Sequence, residues 1–182
     1  MLRVQRGSDL QELSDGLLIL VDDVPRVRAA LSAALADGGA DGGADGAAEG
    51  ADAGAGGGVR FSVGLSPGIR PPGSPSVPPA EVLADPPIVH MVLYLQRTCH
   101  AQNTNLHAVR GTATFRAIFS GNRDERTGAD RLTDATFDVE MGDLRDTPLG
   151  SDPRDIPVAR RSHVTGSLRF YFERGQPAQP FP

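Results

Sequence analysis

The chain has 182 residues, enough for one ordinary domain, and it carries 22 Gly and 15 Pro; that is about one residue in five, where about one in eight is usual. All 18 basic residues are arginine. This excludes a P-loop, a kinase and any Schiff-base or pyridoxal enzyme, because each needs a lysine amine. The net charge of −5 gathers in residues 37–58, which hold Asp37, Asp41, Asp45, Glu49 and Asp52 and no base, so the remainder is balanced and lacks a nucleic-acid footprint.

In chain order, the first residues, Met1 to Ser8, lack the apolar region of a signal peptide. They predict a cytoplasmic protein or a true start upstream of Met1. Nothing approaches the run of about 18 apolar residues that a transmembrane helix needs. The apolar run Gly16 to Val24 predicts a buried strand. Val27, Ala30, Leu31, Ala34 and Leu35 then recur on one helical face, with Pro25 in the first turn, Asp23 as cap and Gly38 past the end, predicting a helix over 25–36. Residues 37–58 are only Gly, Ala, Asp and Glu. They predict a flexible, disordered insertion rather than a calcium-binding nonapeptide repeat, which needs a large apolar residue in register. Val59 to Leu65 alternates weakly, as a strand would. Residues 66–87 hold eight prolines and predict an extended loop, with an SH3 or WW ligand as the lesser alternative.

The second half alternates with period two in four segments: 88–98, 110–119, 132–141 and 163–172. Val89, Met91, Leu93 and Leu95 share one side of the first, and Ala113, Phe115, Ala117 and Phe119 one side of the second. Ala135, Phe137, Val139 and Met141 share a side of the third; Val164, Leu168, Phe170 and Phe172 share one of the fourth. This is the pattern of half-buried strands in an antiparallel meander, with loops at 120–130 and 142–161. Because one sheet with one apolar face needs cover, strands 16–24 and 59–65 with helix 25–36 are the candidates for a second layer, and the expected fold is mostly β. It is a single domain, a two-layer antiparallel β-sandwich or half-barrel with one short helix.

Three constellations invite chemistry. Asp134, Asp138 and Glu140 share one strand face; neighbours two apart lie about 7 Å from each other, a spacing some glycosidases use. The opposing Arg110 and Arg116 offer the plainer reading of cross-strand ion pairs. Cys99, the only cysteine, with His107 in an apparently polar loop, could form a nucleophile–base pair or, with His100, hold zinc. Asp143, Asp146, Asp152 and Asp155 could supply calcium oxygens, against a solvated loop. No cofactor or metal is expected.

Leu18 to Arg28, with its acidic pair Asp22–Asp23, resembles the opening of a bacterial response-regulator receiver, where such a pair binds magnesium. That family also needs a lysine, so the pair is read as a strand end and a helix cap. The segments Gly111 to Phe115, Arg131 to Val139, His163 to Phe172 and Arg174 to Pro182 resemble the C-terminal parts of uncharacterised bacterial cell-envelope lipoproteins. The resemblance implies an envelope location and a protein or envelope partner. The expected function is a non-catalytic structural or binding module, with a hydrolase using Asp134, Asp138 and Glu140 or the Cys99/His107 pair as the alternative.

Overall fold

The computed structural model describes residues 2–5, 15–37, 58–66, 87–95, 104–122, 124–152 and 154–173. The proline-rich 67–86, nearly all of the acidic insertion, and Cys99 with His100 lie outside the described residues. Seven strands form one antiparallel sheet: β1 (Leu2–Gln5), β2 (Gly16–Val21), β3 (Val59–Ser62), β4 (Val89–Leu95), β5 (Thr104–Ala117), β6 (Leu132–Asp143) and β7 (Arg161–Tyr171). Their order is β1-β2-β4-β5-β6-β7, with β3 also paired to β5. Helix α1 (Val24–Asp37) follows β2, and a single turn, α2 (Gly128–Arg131), precedes β6. The architecture is an open, curled half-barrel with one helix of more than two turns.

The four alternating segments are β4 to β7, and each pairs with the next. Asp23 caps α1 as expected: its Oδ1 accepts from the Arg26 N–H at 2.9 Å. Two expectations are corrected. Residues 16–24 and 59–65 do not build a second layer; as β2 and β3 they join the same sheet, and among the described residues α1 is the element that packs on it. His107 is not in a loop. Thr104 to His107 pair with Leu95 to Val92, so neighbouring backbone groups make a strand of a polar stretch that has little strand propensity of its own.

The curl has local causes. Between Ala108 and Arg110, and again between Phe115 and Ala117, the β5–β6 register slips by one residue. Such bulges bend a strand and increase its twist. Just after the first bulge stands Gly111 at φ +140°, where a Cβ would lie 2.4 Å from the Asp138 carbonyl oxygen and 2.6 Å from the Val139 Cα. Only glycine fits there. Its carbonyl accepts from the Val63 N–H at 2.9 Å, and Val63 bridges to Val89. One edge of β5 is therefore shared, with β4 before Gly111 and β3 after it.

The main core fills the concave side. Val27 and Leu31 of α1 belong to one buried cluster with Met91, Phe115, Val139 and Met141, and Phe61 packs against it. The Phe61 and Phe115 rings meet edge to face at 6.0 Å. A smaller cluster lies elsewhere, where Val109, set out of step by the first bulge, joins Leu144 and Ile156. Ile156 rests over Gly142, where a Cβ would come within 2.7 Å of its Cδ1. Arg161, its side chain 8% exposed, fastens this segment by donating to the Ile156 carbonyl at 2.6 Å and to Glu140 at 2.9 Å.

Gly111→Ala sets backbone strain and overpacking against each other at one atom, and should cost at least about 2 kcal/mol of unfolding free energy. Urea denaturation measures it. A variant as stable as the parent would show that the splitting of β5's edge does not depend on glycine.

Candidate functional site

The site is built from side-chain size on the concave face. In the β5–β6 register Ala113 stands opposite Phe137 and Phe115 opposite Ala135. Across the β5–β6 ladder each ring therefore has only a methyl group opposite it. Phe137 also overhangs Gly166 of β7, where a Cβ would lie 2.5 Å from its ring. Small residues at the floor and large ones around it leave unfilled space. The curl brings Ile19 and Val21 of β2 to one wall and Leu168 and Phe170 of β7 to the other, enclosing a cavity of about 390 Å³. Phe119 and Phe172, stacked at 4.3 Å, also line it. Among the described residues no charged side chain does. Thr133, buried in the floor, is the polar residue on the inward parity of β6.

The predicted carboxylates lie on the other, outward parity of β6, and the structure does bring them to one face. Asp134 meets Arg116 at 3.4 Å and Arg169 at 3.7 Å, Asp138 meets His163 at 2.6 Å, and Glu140 meets Arg110 at 3.1 Å and Arg161 at 2.9 Å. This is the cross-strand ladder expected from the arginines of β5, extended by cations of β7. Its exposed members contribute about 0.2–1 kcal/mol each. Asp143 and Asp152 are each closed on by an arginine two residues later: Arg145 and Arg154 donate both backbone N–H and guanidinium to them. Those bonds, the largest cause, hold both carboxyls below their ordinary 3.8. Among the described residues no three metal-ligating side chains gather.

His107 sits on β5, opposite Gly142 and Val92. Its proposed partner Cys99 is outside the described residues. A histidine that the sequence did not single out is the more deeply placed one. His90 of β4 is 3% exposed, with Nδ1 2.9 Å from the Gly64 carbonyl oxygen and Nε2 3.0 Å from Asp22 Oδ2. Asp22, at the receiver-like acidic pair, therefore ties the end of β2 to β4, while Asp23 caps the helix. The one trace of His90 in the sequence is a polar residue inside the apolar run Ile88 to Leu95. The cavity left a different trace: the alternation marked the part of its lining that comes from β4 to β7, such as Phe115, Ala135 and Leu168, as inward, but alternation tells which way a side chain turns and not whether the space beyond is filled.

Burial pushes His107 below its ordinary 6.5, and the nearby Asp143 opposes this more weakly. The unfolded chain therefore binds that proton at a higher pH than the folded one, so this contribution to stability is complete above about 6.5 and falls as pH drops towards the folded value. The urea midpoint should rise between pH 5 and pH 7, and His107→Gln should flatten that rise. Equal rises in parent and variant would show that His107 is not its source.

Comparison of this chain with protein-family models, with curated proteins and with solved structures finds no match.

Proposed function

We propose that this chain is a non-catalytic binding module whose concave face takes up a small apolar molecule. One observation carries the reading: a cavity of about 390 Å³ with no charged side chain among the described residues of its lining. Ligand pockets run from about 300 to 1,000 Å³ and are mostly apolar with a few placed polar groups. Lining atoms that face a gap forgo the dispersion contacts a core would supply, and a guest of matching shape restores them. The hydrolase alternative has less support, because Asp134, Asp138 and Glu140 stand on the opposite parity of β6 and each is already paired with a cation. The envelope setting implied by the strand motifs of the second half belongs to the same proposal, and cell fractionation tests it.

The binding test is titration with N-phenyl-1-naphthylamine, a neutral dye whose fluorescence rises in apolar surroundings. Saturable one-to-one binding is expected. Ala135→Phe puts a ring into the floor and should weaken binding about tenfold or more while the protein stays folded. Absence of saturable binding to the folded parent, or equal affinity in the variant, would sink the reading.

A further inference from the structure

The cavity has one polar feature whose bonding is incomplete. Thr133 is 7% exposed and lines the cavity. Its Oγ1 accepts from the Phe119 N–H at 3.2 Å. That bond fixes the oxygen as an acceptor and leaves the hydroxyl proton to be placed. Among the described residues no acceptor meets that proton. A buried donor without an acceptor is unfavourable, and native structures rarely leave one so. Thr136, the other threonine of the lining, shares the outward parity of Asp134 and Asp138, so the inward hydroxyl of β6 is that of Thr133.

We infer that the ligand is an uncharged molecule carrying a hydrogen-bond acceptor, a ketone, ester or ether oxygen, which receives the Thr133 hydroxyl proton. This inference rests on the reading of the cavity as a ligand site. A charged ligand is disfavoured by the lining, whose described residues offer no counter-ion to repay the desolvation of an ion. Acceptor character follows from the unplaced proton: one lone pair of the Thr133 oxygen is engaged by Phe119, the second can go unfilled at small cost, and the hydroxyl proton is the group that needs a partner. The rest of the molecule meets a lining that is mostly hydrocarbon, with the stacked Phe119 and Phe172 rings nearby.

Two probes of nearly equal shape separate the ideas. 2-Acetylnaphthalene carries a ketone where 2-isopropylnaphthalene carries a methyl group, and each can be titrated by displacement of N-phenyl-1-naphthylamine. The affinity ratio of ketone to hydrocarbon should fall about fivefold in Thr133→Val and stay near the parent's in Thr133→Ser. Using the ratio cancels any general loosening of the fold. Should Thr133→Val fail to fold, the infrared carbonyl stretch of the ketone bound to the parent protein still decides. It should lie below its position in hexane, and an unshifted band overturns the inference. If both probes bind and the ratio is the same in all three proteins, the role of Thr133 is wrong and the cavity reading stands. If neither probe binds the parent, the cavity reading itself fails.

Discussion

A seven-stranded sheet with one apolar face must hide that face, and this chain brings one helix to do it. Helix α1 has 14 residues, about 21 Å of cover. Strand β5 also has 14 residues, but at strand rise these span roughly 46 Å. The helix makes its main contacts with β3 and β5. The remaining apolar area is removed from water by bending the sheet towards itself, and the half-barrel is the geometric answer to a shortage of helix.

Bending is written into the backbone at a few points. Two bulges put extra residues into β5 against β6, and Gly111 lets the two strands approach so closely that a Cβ there would lie 2.4 Å from the Asp138 carbonyl oxygen. The extra residues are put to use. Val109 enters the smaller cluster with Leu144 and Ile156, and Arg116 reaches Asp134. A bent sheet with rings at alternate positions and methyl groups between them cannot be packed solid from one side. The cavity is thus a consequence of how the curl and the Ala–Phe pairing combine.

The outer face works differently. Its arginines, carboxylates and His163 make many contacts of small individual value. Their contribution is to register and solubility more than to free energy, because a slip of one residue would carry every charge inward and every ring outward. Arg161 differs from the exposed pairs: its buried guanidinium bonds at once to a backbone carbonyl and to Glu140, so it joins the 144–160 segment to the sheet.

Much of this was legible along the chain. Alternation after position 87 identified β4 to β7 and their inward sides, except at Ala117, which the second bulge sets opposite the outward Asp134; helical spacing with Asp23 and Pro25 located α1, and opposed Arg and Asp faces announced the ion-pair ladder. These are local or nearest-strand properties, and the period of the side chains carries them. Three things were not legible. Residues 104–107 are a strand because β4 pairs with them, whatever their own propensity. His90 is buried because Gly64 and Asp22, 26 and 68 positions away, supply its partners. The cavity exists because β2 and β7, distant in sequence and each on its own arm of the sheet, come to face each other. By itself the sequence determined which side of each strand is apolar. Only the tertiary structure decided how far the sheet closes over that side, since closure depends on contacts between residues that no local period relates.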